Sequence, residues 1–257
     1  MELLEPNLVN TTTQITVGSN TALAANLFNP DRVLQYFTDG FASDATTASV
    51  TIAFDATQTI SRIALLEHNL ESFNLYYNGA TANTIAITGP TTVANFVSNA
   101  ASDLFLQLST PINCTSLTLD LRTTITANAE KAIGLLVLTA VELDFARIPN
   151  ASGYVPSLDP KQITHTLSDG GVRVHSVRDK WKAKVKLGNI TEDFRDDLRA
   201  VYDQHSPFIF VPFGTYTGWD GILFESVWVG AFDFYRFSDN APDVGFSGTI
   251  DLRETAS

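Results

Sequence analysis

The stretch Ser49-Val50-Thr51-Ile52-Ala53-Phe54, followed after a short interval by Ile60-Ser61-Arg62-Ile63-Ala64-Leu65, decides the fold class. Apolar residues alternate with small or polar ones at a period of two, the signature of a strand with one face in a core. Working outward, the same texture recurs in Phe73-Asn74-Leu75-Tyr76-Tyr77 and Ser116-Leu117-Thr118-Leu119-Asp120-Leu121. Short alternating runs with turn signals between them predict a β-sandwich. The run Gly134 to Leu143 is apolar on both faces and reads as a central strand that closes the domain.

The chain has 257 residues, enough for two domains that each bury a core. It carries 16 Lys+Arg against 28 Asp+Glu, which argues against gripping nucleic acid through its overall field. Its one cysteine, Cys114, cannot form an internal disulfide and reads as a small buried side chain. The N-terminus lacks a basic segment followed by a long apolar one, and no run reaches membrane-spanning length. The expectation is a chain without a signal peptide or membrane insertion.

The turn-rich stretch Pro149 to Pro156 marks a boundary, giving domains 1–150 and 151–257. The second opens with Ile163 to His175, two alternating runs around Asp169-Gly170-Gly171 that predict a hairpin, and continues with the strand Trp181 to Leu187. A helix is expected over about 190–205, with Asn189 as its cap, Glu192 at the third position and Pro207 after its end. Strands follow at Phe208 to Phe213, Phe224 to Val229, Ala231 to Phe237 and Gly245 to Leu252. The fold class is mostly β: two β-sandwich domains, the second with one helix.

The segment Asn26 to Phe41, the strand Val50 to Phe54 and the run Ile60 to Leu70, ending in His68-Asn69-Leu70, resemble the discoidin-like or galactose-binding-like jelly roll. The likeness is greatest to the versions in phage tail proteins. The order of hairpin, strand, helix and strands from Ile163 to Phe210 is similar to tail-tube and distal-tail proteins. Together these resemblances imply a virion structural protein of a phage tail tip, adaptor or baseplate, made in the host cytoplasm. They also imply a ring-like homo-oligomer with other tail proteins as partners, a host surface glycan as a further one, and at most transient contact with DNA. The alternative is a carbohydrate-binding module protein without an assembly role.

For catalysis the sequence offers no nucleophile with a base and no phosphate-cradling glycine loop. Asp220 and Glu225 beside a turn are more simply solvated, and Gly214, Gly218 and Gly221 do not open a helix. The expectation is a protein that is not an enzyme and holds no cofactor. His165 and His175 invite a metal reading, but a two-residue Asp169-Gly170 turn would pair His165 with Val174 and send the histidines to opposite faces. No metal site is expected.

The loop Tyr36-Phe37-Thr38-Asp39-Gly40-Phe41 places aromatics that could stack on a pyranose beside a carboxylate that could accept hydroxyl protons. Tyr36, Phe37, Asp39 and Phe41 are the candidate glycan contacts. The aromatic surplus between Phe208 and Phe237 exceeds what one small core needs, and the basic strand around Lys182 and Lys184 departs from the acidic field. Trp181, Lys182, Lys184, Phe208, Phe210, Phe213, Phe232 and Phe234 are therefore the candidate subunit interface.

Overall fold

A computed structural model describes residues 1–29, 34–84, 95–96, 99–145, 153–166, 171–212, 223–236 and 245–255. Its first strands are β1 (Glu2–Leu4), β2 (Ile15–Val17), β3 (Tyr36–Phe37), β4 (Ala48–Leu66), β5 (Leu70–Tyr77), β6 (Ala80–Thr84) and β7 (Asn95–Phe96). Then come β8 (Leu104–Thr124), β9 (Ala132–Ile133), β10 (Leu135–Thr139), β11 (Val141–Asp144), β12 (Tyr154–Thr166) and β13 (Val172–Ile190). Helix α1 (Glu192–Gln204) precedes β14 (Phe208–Val211), β15 (Phe224–Val229), β16 (Phe234–Arg236) and β17 (Phe246–Glu254). The protein is mostly β, built of β-sandwich sheets, and no described helix is long and apolar enough to cross a membrane.

The chain forms two units. One rests on Leu4–Glu142, the other on Met1–Leu3, Leu143–Phe210 and Leu223–Ala256. In the first, the strand order is β10-β4-β8-β5-β6, with β2 on β4 and β7 on β5. β4 and β8 pair antiparallel from Ala48↔Leu121 to Leu65↔Leu104. Register shifts between Ala53 and Gln58 and between Ile60 and Arg62 interrupt the ladder, the kind of irregularity that bends a long strand. Val50, Ile52, Phe54, Ile60, Ile63, Leu65, Phe73, Leu117, Leu119 and Leu121 supply one core, together with Leu27, Tyr36 and Cys114.

The run Gly134 to Leu143 is not one central strand. β10 pairs with β4 and ends that sheet's order, whereas β11 belongs to the other sheet. Every residue of β10 is buried, which is why it can be apolar on both faces, and its open edge is covered as well. The Asn7 amide donates to Leu136 O (2.9 Å), its carbonyl accepts from Leu138 N (3.0 Å), and Leu8 N donates to Leu138 O (2.9 Å).

The second unit's sheet has the order β11-β1-β14-β15-β17-β13-β12, with β16 on β17. Residues 1–3, expected in the first domain, thus contribute to this sheet, where Leu3 and Leu4 are fully buried. Helix α1 begins two residues later than an Asn189 cap would place it. Asn189 takes a left-handed φ of 56°, and the Thr191 hydroxyl accepts from Phe194 N (3.2 Å) instead. Leu198 and Val201 are its buried face, and His205 at φ 50° ends it before Pro207.

The hairpin register also differs from the expected one. His165 pairs with Arg173 and Ile163 with His175, so by the parity of the ladder positions 165 and 175 share a face. A two-residue turn would need an odd offset; the pairing Thr166↔Val172 leaves a longer connection, of which residues 167–170 lie outside the described residues.

Phe73 is fully buried in the first unit's core, on the strand that pairs with β8. Phe73→Ala is expected to cost about 3–5 kcal/mol, read as a lowered urea midpoint with an unchanged m-value. A loss below about 1 kcal/mol would mean that this core collapses around the gap.

Candidate functional site

The loop after β3 is the best-built surface feature of the first unit. β3 pairs with β9, Tyr36 with Ile133 and Phe37 with Ala132. Alternation then sends the two rings opposite ways. Tyr36 is fully buried, its hydroxyl donating to Ser19 O (3.1 Å), so it cannot stack on a ligand. That corrects one of the four expected contacts. Phe37 is 48% exposed, Asp39 is exposed and Phe41 is half-buried.

Beneath these residues lies a polar clamp that the sequence did not announce. The Glu130 carboxylate accepts from the Thr38 hydroxyl (2.6 Å), Gly40 N (3.1 Å) and Phe41 N (3.3 Å). Thr38 N donates to Lys131 O (2.9 Å), and Lys131 N donates to the Thr38 hydroxyl (2.9 Å). Gly40 turns the loop at φ 80°, a conformation that side chains with a Cβ resist. The Lys131 side chain is fully buried, and its ammonium donates to the carbonyls of Phe41 and Ser43. Asp44 closes the far side by accepting from Asn128 N (3.1 Å), Thr124 N (3.2 Å) and the Thr124 hydroxyl (3.3 Å).

These partners tune the charges. The Thr38 hydroxyl, then the Phe41 and Gly40 N–H groups and the Lys131 charge, hold Glu130 below the usual carboxylate range. The Asn128 N–H, with Thr124 and Lys131 behind it, does the same for Asp44. Burial lowers the Lys131 pKa, opposed by Asp44 and Glu130. The ammonium thus serves as an internal cation for oxygens that would otherwise face one another unpaired.

His68-Asn69-Leu70 supports the same platform. The Asn69 amide donates to Glu130 O (2.7 Å) and its carbonyl accepts from Ala132 N (2.8 Å), which fixes the residues on either side of Lys131. His68 Nδ1 accepts from Leu70 N (3.0 Å), while Nε2 is buried without a hydrogen-bond partner among the described residues. Burial drives the His68 pKa down to about 4. The motif is structural: a turn, a clamp and a core leucine.

The described members of the expected interface fall into three groups. Trp181, Phe208 and Phe210 are core of the second unit, at 6%, 3% and 0% exposure, and have no area left for a neighbour. The alternation of β13 buries Trp181, Ala183, Val185 and Leu187 together, with Trp181 stacked on Phe224 at 3.9 Å. Phe232 and Phe234 are half-buried and lie with Trp228 in one aromatic cluster. Lys182 is half-exposed and Lys184 exposed, the latter 3.4 Å from Asp251. Phe213 lies outside the described residues.

Asp220, one of the two weighed carboxylates, also lies outside them, and Glu225 accepts from the Thr255 hydroxyl (2.7 Å). Burial pushes the Cys114 thiol up to about 11, which keeps it protonated and inert. Among the described residues no three His, Cys, Asp or Glu side chains are grouped to hold a metal.

No protein-family model and no curated protein sequence matches the chain. Among solved structures, it is similar to a mutant chitosan-binding module 1 from a chitosanase/glucanase of Paenibacillus sp. IK-5, with 10% identity and a TM-score of 0.39, over 54% of this chain and 99% of that one. It is also similar to a family 32 carbohydrate-binding module from Clostridium perfringens NanJ in complex with galactose, with 13% identity and a TM-score of 0.37, over 55% and 100%. A further module, from the same organism in complex with GalNAc-β-1,3-galactose, has 12% identity and a TM-score of 0.36, over 50% and 97%.

Two outcomes follow from the buried charges. A histidine whose folded pKa lies below its unfolded value of 6.5 binds its proton first in the unfolded chain, so its contribution is complete above 6.5 and drains away as pH falls toward about 4. The loss is on the order of 3 kcal/mol, and His68→Asn should flatten the stability profile in that window. Glu130 and Asp44, being depressed, lose their contribution only as pH falls through and below their unfolded values of 4.5 and 3.8, so the decline above about pH 5 belongs to His68. Lys131→Met should cost about 3 kcal/mol in chemical denaturation and speed proteolysis at residues 40–46; a variant as stable as the parent would show that the loop does not need the cation.

Proposed function

We propose that the chain is a non-catalytic binding protein whose first unit recognises a glycan through the loop at Phe37 to Phe41. The observation that carries this reading is an exposed Phe37 ring beside an exposed Asp39, on a loop held from below by Glu130, Lys131 and Asn69. A flat apolar ring complements the C–H face of a pyranose, and a neighbouring carboxylate accepts its hydroxyl protons. A rigid loop gives up little conformational entropy on binding, so even a small contact surface yields measurable affinity.

A second reading is a structural subunit of a larger particle, such as a phage tail tip, adaptor or baseplate that also touches a host glycan. The observation in its favour is the hairpin β12–β13, whose strands run past the end of β17. The two readings are compatible in one chain, because the loop and the hairpin belong to different units.

The test is a glycan array with the purified chain, followed by titration calorimetry on the strongest hit. Phe37→Ala is expected to weaken binding by roughly tenfold or more, with Asp39→Asn weaker than the parent and the unfolding midpoint of both unchanged. An array without hits, or a hit indifferent to Phe37, would overturn the glycan reading.

A further inference from the structure

β13 is 19 residues long, yet β17 pairs with it only from Lys182 to Ile190. β12 accompanies it from Val185 back to Val172 and is itself the end strand of the sheet. Among the described residues, therefore, residues 172–181 of β13 and their partners on β12 form a two-stranded arm with no third strand. An isolated two-stranded hairpin is marginal in water, and its unpaired edges invite a partner. On β12 the edge is broken by Pro156 and Pro160, which lack an N–H; the edge of β13 contains no proline.

The arm is also the basic element of an acidic protein. From Lys161 to Lys186 the sequence holds seven basic and two acidic residues, although the whole chain has a net charge of −12. Charge selects the partner. Edge-to-edge pairing of two arms would bring the positions of Arg173, Arg178 and Lys180 in both copies within a Debye length of about 8–10 Å, a repulsive arrangement. An acidic surface on a second copy is the complement, and the outer face of α1 provides one. Glu192, Asp193, Asp196, Asp197 and Asp203 are exposed there against only Arg195 and Arg199. Each arginine already pairs with its own helix, Arg195 with Asp196 at 2.6 Å and Arg199 with Asp203 at 2.9 Å, so the helix keeps a negative surplus at Asp193 and Asp197.

We propose that the β12–β13 arm of one copy docks on the acidic face of helix α1 of a second copy. Arm and helix are different surfaces, so the contact is head-to-tail, and every copy offers both; repeated, it closes a ring or extends a filament. The inference does not rest on glycan recognition and stands or falls separately from it.

The experiment is sedimentation velocity on the full chain at low and high salt, with circular dichroism to confirm that every variant is folded. The parent is expected to associate with rising concentration at low salt and to dissociate at high salt. Arg173→Glu with Arg178→Glu, and separately Asp193→Lys with Asp197→Lys, should each weaken association by roughly tenfold or more. Mixing these two reversed variants makes both contacts attractive again, the acidic arm of the first with the basic helix of the second and the unaltered arm of the second with the unaltered helix of the first, and should restore association as alternating assemblies of 1:1 composition. A parent that stays monomeric at low salt would overturn the proposal, as would helix variants that associate like the parent or a mixture that associates no better than either variant alone.

Discussion

The pairing of β4 with β8 is the constraint from which the first unit is built. Each strand is long enough to serve the sheet along its whole length, and the offset at Ala53 to Gln58 lets the ladder resume after an irregular interval. Every other placement hangs on it. β2 lies along the first half of β4, β5 along β8, and β10 along the last residues of β4, where Leu135 meets Leu66. Because β9 runs directly into β10 and pairs with β3, the register of β10 against β4 sets where the loop at Phe37 stands. The loop thereby inherits its position from the centre of a sheet.

Charge as well as apolar contact holds that loop: Tyr36 lies in the core and Phe41 packs against it. Burying an ammonium is costly, and Lys131 is tolerated because two carbonyls accept its hydrogen bonds and the charges of Asp44 and Glu130 favour it. The arrangement has a specificity that a leucine could not provide: only one loop path brings the carbonyls of Phe41 and Ser43 to one nitrogen. Asn69 adds a neutral clamp, matching a carbonyl and an N–H two residues apart with the two ends of one amide.

The period-two runs were legible because burial on one face leaves a mark at every second residue, as in Val50, Ile52 and Phe54. Phe37 and Asp39 could be picked out as an aromatic and an acid beside a glycine. Their support could not, since Glu130 and Lys131 lie some 90 positions away and look like an ordinary solvated pair. The aromatic surplus of the second half misled for a related reason. Trp181 comes from a strand read as basic, yet it stacks on Phe224 and borders Phe210, so the rings fill one core drawn from four distant segments. The hairpin register escaped because Asp-Gly-Gly permits several turns, and the sequence does not say how many residues the connection takes.

Strand β1 lies between β11 and β14, and its partner β14 is synthesised roughly 200 residues later. At about 5–20 residues per second, β14 follows Glu2–Leu4 by on the order of ten seconds or more, so β1 cannot complete its pairing in the sheet before then. The second unit therefore matures by capturing a segment that has already left the ribosome. A chaperone that shields this short apolar segment would act on the yield of folded protein without touching any residue of the loop at Phe37.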